Sequence, residues 1–249
     1  MQHATVASVP SPKGHALFLI DEHDGPKDST QLMDTLPKAL IQEIRRHGTT
    51  LRLATGARVF EQGRPHSGIF VIEEGCVRTF YAGPTGKEIT LAYWKEGHFV
   101  GGPELFGRGY HVWSAEAAVP SVLSWISGNL LRSLALQNSE LAMGLIDALI
   151  VKGKCYSSQA PFLGTYSARR RLAVLLLALA GRVCVVNPSN GATVPRHVTH
   201  EQLASIIGST RQWVTATLSR FERDGLLTVG PETIVIRDVR ALREAYASE

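Results

Sequence analysis

The chain of 249 residues is poor in cysteine: it holds three, at Cys76, Cys155 and Cys184, far apart in the sequence. Three dispersed thiols build neither a disulfide framework nor a cysteine-rich metal site, and they fit a reducing compartment. No apolar run is long enough to cross a bilayer; Leu172–Ala180 comes nearest, and its flanking Arg171 and Arg182 mark it as a buried helix. The N-terminus lacks the charged, apolar and cleavable segments of a signal peptide in that order, so a cytoplasmic location without membrane contact is expected. There is no His-x-His pair, no glycine loop ending in Lys-Ser/Thr and no nucleophile–base motif, which argues against an enzyme. A cupin-like metal enzyme stays as an alternative, although His66, His98 and His111 are widely spaced.

Net charge is small too, formally +4, but unevenly placed. Residues 1–162 hold 15 Lys+Arg and 15 Asp+Glu, whereas residues 163–249 hold 11 and 7. The whole basic excess therefore sits in the C-terminal third, where it favours a phosphate-bearing partner.

That third carries the most specific pattern. Val198–Leu218 reads as two helices about a glycine turn at Gly208. Thr199 is placed to N-cap the first helix with Gln202 as capping-box partner, and Ser209 with Gln212 repeats the device. Leu203, Ile207, Val214 and Leu218 fall on inward faces. Thr210, Arg211, Gln212 and Thr215 fall outward at the start of the second helix, where a recognition helix meets base edges and phosphates. Asp224-Gly225 ends the helical period, and Leu226–Ile236 reads as a hairpin turning at Gly230-Pro231. A helix-turn-helix followed by a hairpin is a winged DNA-binding module.

Upstream, residues 1–30 mix Pro, Ser, Gly, His and Asp without period and read as an arm, with Phe18–Ile20 as a possible anchor. A short helix is expected near Pro37–His47. From Thr50 to Ile126, β-prone runs alternate with glycines: Ile69–Ile72, Val77–Tyr81 and Ile89–Tyr93, with a turn at Gly83–Gly86. This spacing predicts a small antiparallel barrel or sandwich. From Leu130 the period turns helical. Leu141, Leu145, Leu149, Lys152 and Tyr156 form one stripe with Ile146 and Ile150 beside it, which suits either a dimer seam or a helix buried within the chain. Pro161 should strain the last turn, and Gly164 offers a hinge.

The order of barrel, long helix, hinge and winged module resembles the Crp–Fnr family of bacterial transcription regulators. Phe60–Gly63, Ile69–Gly75, Gly86–Leu91 and Gly97–Gly101 resemble its cyclic-nucleotide-binding barrel, and Phe162-Leu163 the end of its dimer helix. The resemblance implies an α+β chain. It would comprise an arm (1–30), an antiparallel β-roll or jelly-roll sensor domain (31–135), a dimerisation helix (136–163) and a winged helix-turn-helix (164–249). It implies a homodimer on double-stranded DNA with a near-palindromic operator, and RNA polymerase as a further partner. Thr199 and Thr210 resemble phosphate contacts; Arg211 and Gln212 stand at the main base-reading positions, with Thr215 one turn on. Ser209 belongs to the same face. The family often has glutamate where Gln212 stands, so the operator should differ from the commonest consensus there.

The sensor pocket departs from the family. Its members hold the ribose with a Gly-Glu-Leu segment and the cyclic phosphate with an arginine before Ser/Thr-Ala. Here the stretch is Gly101-Gly-Pro-Glu-Leu-Phe-Gly-Arg-Gly-Tyr-His-Val-Trp-Ser-Ala115. Matching Ser114-Ala115 puts Trp113 at the arginine; an ungapped match from Gly101 puts Val112 there and Gly102 at the glutamate, which Glu104 replaces only after a local shift. A buried phosphate without its guanidinium costs on the order of 3–5 kcal/mol. Gly153 and Lys154 stand near the point where the dimer helix should offer hydroxyls. An effector other than cyclic AMP is implied. Gly101, Gly102, Glu104, Leu105, His111 and Ser114 would border its site. Trp94, Tyr110, Trp113 and Tyr156 would line an apolar pocket, and Lys154 or Arg108 would take the carboxylate of an aromatic or other organic acid. Alternatively those aromatics fill a collapsed pocket and the regulator is constitutive. No bound cofactor is expected. An iron–sulfur cluster needs about four placed cysteines, whereas a haem gas sensor would need only Cys76, His66, His98 or His111 as axial ligand.

Overall fold

The computed structural model describes residues 32–183, 192–195 and 198–244. The arm over 1–30 with its Phe18–Ile20 anchor, and Cys184, lie outside the described residues. Two short helices, α1 (Leu32–Thr35) and α2 (Lys38–His47), lead into eight strands: β1 (Thr49–Leu53), β2 (Arg58–Phe60), β3 (Gly68–Glu74), β4 (Cys76–Ala82), β5 (Glu88–Lys95), β6 (Phe99–Val100), β7 (Ser114–Ala117) and β8 (Ser121–Ser127). They form two antiparallel sheets in the orders β1-β8-β3-β6 and β2-β7-β4-β5, so the expected barrel is a two-sheet roll. β3 has no hydrophobic–polar alternation because both its faces are covered. Phe70 and Ile72 enter the interior shared with Val77, Trp94 and Leu123, while Ile69 and Val71 pack with Leu40, Ile44, Leu131 and Leu141 outside the roll. The turn foreseen at Gly83–Gly86 closes with Gly83 N donating to Lys87 O and Gly86 N to Gly83 O, both at 2.9 Å.

Helix α3 (Gly128–Gln137) starts at Ser127, whose hydroxyl accepts from Leu130 N. Asn138 then caps α4 (Ser139–Thr165), its amide oxygen accepting from Glu140 N and Leu141 N. The helix expected over 136–163 is thus one rod of 27 residues. Pro161 does not end it: the chain stays helical to Thr165, whose hydroxyl donates to Pro161 O at 2.7 Å. Gly164 lies inside the last turn, so the change of direction falls instead at Tyr166, in extended backbone (φ −94°, ψ 140°).

Of the two readings of the α4 stripe, the helix buried within the chain is the one the packing shows. Leu141, Leu145 and Lys152 are buried together with Ala148, Cys155 and Phe162, at helical spacing, against the chain's own roll. The apolar side chains left open on α4 are Met143, Ile146 and Ile150, each about half exposed. The sequence pattern could not separate the two faces because both are apolar.

After α5 (Ala168–Val183) come β9 (Ala192–Pro195), α6 (His200–Ile207), α7 (Arg211–Arg223), β10 (Leu227–Val229), β11 (Thr233–Ile236) and α8 (Val239–Glu244). The expected hairpin is present, and β9 adds a third strand on the far side of β11, which was not foreseen. Leu172 and Leu176 of α5 pack with Leu203, Val214, Leu218 and Ile236. The run Leu172–Ala180 is buried on one face, as the flanking arginines suggested. Among the described residues no helix is long and apolar enough to cross a membrane.

Where the roll hands over to α3, backbones touch. A Cβ on Gly128 would lie 2.1 Å from the carbonyl carbon of Phe106. Gly128→Ala should therefore destabilise the chain by about 3 kcal/mol or more, the range of overpacked or strained core sites. Urea unfolding checks this; a loss under about 1 kcal/mol would mean that the loop at Phe106 yields freely.

Candidate nucleic-acid interface and sensor pocket

The two helices of the C-terminal module meet through local chemistry. The Thr199 hydroxyl accepts from Gln202 N at 3.1 Å while Thr199 N donates to the Gln202 amide oxygen at 2.8 Å, so the expected capping box exists. Gly208 closes α6 in the left-handed region (φ 64°, ψ 42°), and Ser209 N returns to Ala204 O. That return uses up Ser209 in the turn. Thr210, not Ser209, then caps α7, its hydroxyl accepting from Trp213 N at 3.2 Å; Gln212 has no part in a capping box. Arg211, Gln212 and Thr215 are exposed, together with Ala216 one turn beyond Gln212. These four border an open hollow of about 410 Å³. Ala216 was missed, although its i+4 spacing from Gln212 would have found it. His200 was missed as well: its Nδ1 lies 2.9 Å from the Thr215 hydroxyl.

The module is held against the roll through α6. Thr90 of β5 and Ser205 of α6 share a buried hydrogen bond of 2.6 Å. Arg78 of β4 donates to Thr90 at 3.0 Å, Glu116 at 2.7 Å, Ser205 at 3.3 Å, and Glu88. Arg58 shares both carboxylates, and the two guanidinium groups cover the Phe80 ring at 4.6 and 4.3 Å. Lys87, at the tip between β4 and β5, donates to Gly208 O at 2.8 Å. Beside these contacts a cleft of about 710 Å³ opens between the hairpin tip and the start of α7, bordered by Arg78, Lys87, Glu201, Arg211 and Gln212.

The expected sensor pocket is only partly assembled. Trp94, Trp113 and Tyr156 do come together: Trp113 lies 5.1 Å and Trp94 6.0 Å from the Tyr156 ring. Arg108, Tyr110 and Lys154 do not; all three are exposed, as is Glu104. Gly101, Gly102 and Leu105 are buried in the loop, where Gly102 N donates to His66 Nε2 at 2.8 Å. Ser114 is buried and accepts from Gln62 N. His111 belongs to a separate cluster, stacked on Phe60 at 4.0 Å and 4.6 Å from His66. Of the other haem-ligand candidates, His98 sits 5.5 Å from Trp94 and Cys76 is a half-buried free thiol in β4.

The buried cation of this interior is Lys152, one turn before Tyr156. Its ammonium donates to Phe99 O at 2.6 Å and lies 3.4 Å above the Trp94 ring and 4.6 Å from Phe99. No carboxylate of the described residues forms an ion pair with it. Burial pushes its pKa down to about 7. Burial and the Lys152 charge push His98 down to about 4, and burial with the His66 charge does the same to His111. The sequence pattern places Lys152 in the helix stripe without a role, because a lysine on an apolar face ordinarily snorkels to solvent.

A β-roll joined by a long helix to a winged helix-turn-helix is the architecture of a DNA-binding regulator. Residues 50–138 match the cyclic nucleotide-binding domain and residues 170–245 the Crp-like helix-turn-helix domain, together about two thirds of the chain. The chain belongs to the Crp/Fnr family of transcription regulators. It is 29% identical over 188 residues to the transcriptional regulator SdrP of Thermus thermophilus, covering 74% of this chain and 86% of SdrP. It is 25% identical to the cAMP-activated global transcriptional regulator CRP of Salmonella typhimurium, over 73% of this chain and 86% of CRP. The c-di-GMP-responsive regulator CLP of Xanthomonas campestris shares the fold, with TM-score 0.71 at 21% identity, over 80% of this chain and 99% of CLP. These relatives are regulators rather than enzymes.

The depressed pKa of Lys152 has a definite sign. The unfolded chain binds this proton below pH 10.5 and the folded chain only below about 7, so stability rises with pH between those values. Between pH 7 and 9 the gain is about 2 kcal/mol, at roughly 1.36 kcal/mol per unit. The window ends near pH 9, where Cys76, pushed up to about 11 by burial, begins to act in the opposite sense, followed near pH 10 by Tyr93, pushed up to about 12. Lys152→Met should be more stable than wild type at pH 7 and lose this alkaline rise in denaturation midpoint. A midpoint in wild type that is flat from pH 7 to 9 would show the ammonium to be fully paired.

Proposed function

We propose that the chain acts as a homodimer on a near-palindromic operator, reads DNA with the first turn of α7, and is controlled by an organic anion received at Lys152. The observation that carries this reading is the pairing of an exposed recognition end with a buried, uncompensated cation in the same chain. The proposed domains are the sensor over 31–135, the dimerisation helix over Ser139–Thr165, and the DNA-binding module from residue 166 onward.

Thr199 and Thr210 spend a hydroxyl lone pair on capping, which leaves each O–H proton for a phosphate oxygen. Ser209 lies beside them at the turn. Arg211 suits the O6/N7 edge of guanine and Gln212 the N6/N7 edge of adenine. Met143, Ile146 and Ile150 of α4 would pair across the dimer axis, giving two recognition helices to successive major-groove half-sites. RNA polymerase is the protein partner expected of such a regulator.

Salmonella CRP is named for activation by cAMP, but an equivalent effector is disfavoured here. With Ser114-Ala115 matched to the family's Ser/Thr-Ala, Trp113 stands at the phosphate-binding arginine, and its ring leans on Tyr156; the ungapped match puts Val112 there, which offers no charge either. The charge available to an anion is Lys152, on α4 and between two aromatic faces, which suits the carboxylate of an aromatic acid. Such a ligand would neutralise the buried ammonium and tie the roll to α4, shifting the population of dimer geometries.

Selection from random DNA followed by binding titrations tests the reading. Arg211→Ala should cost roughly 1–3 kcal/mol per half-site and relax one base preference, and Ile146→Glu should give a monomer with no operator binding. An operator bound equally well by both variants would overturn the proposed interface. In a thermal-shift panel, aromatic acids should stabilise wild type but not Lys152→Met; stabilisation by cyclic AMP alone would overturn the effector class.

A further inference from the structure

Thr215 has one hydroxyl proton, and its surroundings fix where that proton goes. Its Oγ1 lies 3.0 Å from Arg211 O, which can only accept, and 2.9 Å from His200 Nδ1. Both contacts are satisfied at once only when Thr215 donates to the carbonyl and His200 Nδ1–H donates to Thr215. The oxygen of Thr215 is thereby turned back toward the protein, held from two helices. The side-chain atom left for the groove is the γ-methyl. Next to it stands the exposed methyl of Ala216, on the same open face as Arg211 and Gln212.

We propose that His200 is a specificity-determining positioning residue: it fixes the rotamer of Thr215 so that Thr215 and Ala216 present two methyl groups to the C5-methyl of a thymine. Apolar contact with that methyl is how small side chains tell thymine from the other bases in the major groove. His200 is well placed to do this. It is the first residue of α6, set by the Thr199–Gln202 capping box, so its ring is carried by a rigid helix start. His200 and Glu201 of α6, with Arg211 of α7, border a second hollow of about 400 Å³ beside it. The assignment rests on the DNA-binding face proposed above, and it adds a base preference that Arg211 and Gln212 do not supply.

The test replaces each thymine of the selected operator in turn by deoxyuracil, which lacks only the methyl. Wild type should lose about fourfold in affinity per half-site at one position, the factor given by burying one methyl-sized group. Thr215→Val keeps the methyl without the hydroxyl and should preserve that discrimination. Thr215→Ser keeps the hydroxyl without the methyl and should abolish it. His200→Leu should also abolish it while leaving the preferences under Arg211 and Gln212 in place, and His200→Asn, whose amide donates from about the Nδ1 position, should restore it. Discrimination lost in Thr215→Val, kept in His200→Leu, or absent at every thymine in wild type would overturn the proposal. Failure of the selection to return any operator would instead strike at the DNA-binding face itself.

Discussion

The guanidinium of Arg78 is where the two halves of the chain meet. Its fork reaches two carboxylates, Glu88 and Glu116, and two hydroxyls, Thr90 and Ser205, from a position that leaves its side chain 13% exposed. A lysine has the charge but not the planar set of donors. Because Glu88 and Glu116 also engage Arg58, the cluster carries two positive and two negative charges, so burying it leaves no excess. Only Ser205, among these partners, comes from the DNA-binding module. The seam it makes with Thr90 and Lys87 rests on the three polar contacts described above, each worth about 0.5–1.5 kcal/mol net of water. That total of a few kcal/mol sets the orientation of α6, yet it is of the size a bound effector can overcome.

Lys152 presents the opposite balance. A buried ammonium supported by one carbonyl and two aromatic faces is retained at a cost of several kcal/mol relative to a paired or exposed one. Stability alone would replace it with methionine, and strongly perturbed groups of this kind cluster at functional sites. The roll interior and the seam therefore stand in different regimes: the guanidinium groups at the seam are matched by carboxylates, whereas the ammonium of the interior has no carboxylate partner among the described residues. Under the proposed function, a ligand that supplies a carboxylate would act on the second and be felt at the first through α4, whose Gln159 also donates to Leu91 O of the strand carrying Thr90.

What could be read in the sequence follows the range of the interactions involved. The helix-turn-helix was legible because capping, the αL glycine and i+4 spacing are local rules, and Thr199, Gly208 and Leu218 obey them. The misplacement of the second cap by one residue, from Thr210 to Ser209, came from not knowing that Ser209 N would return to Ala204 O. The roll was legible from glycine punctuation and β-prone runs. β9 was not, since four residues whose partner lies some forty positions later leave no local mark. The pocket was least legible. Lys152, Trp94 and Phe99 meet only when β5, β6 and α4 converge, and sequence neighbours such as Lys154 and Tyr110 turn out to face water. A step of two residues along α4, from Lys152 to Lys154, decides whether a lysine is a buried charge or a solvated one.

The rod α4 has a mechanical consequence. Its 27 residues make it about 40 Å long at roughly 1.5 Å per residue, with Lys152 near its middle and the DNA-binding module beyond its far end. A tilt of about 10° about its first turn would carry Thr165 by roughly 7 Å, close to two base-pair steps of about 3.4 Å. In a pair of such rods the two displacements add across the axis. A change at Lys152 too small to disturb the packing of the roll would therefore be enough to put one recognition helix out of step with the other.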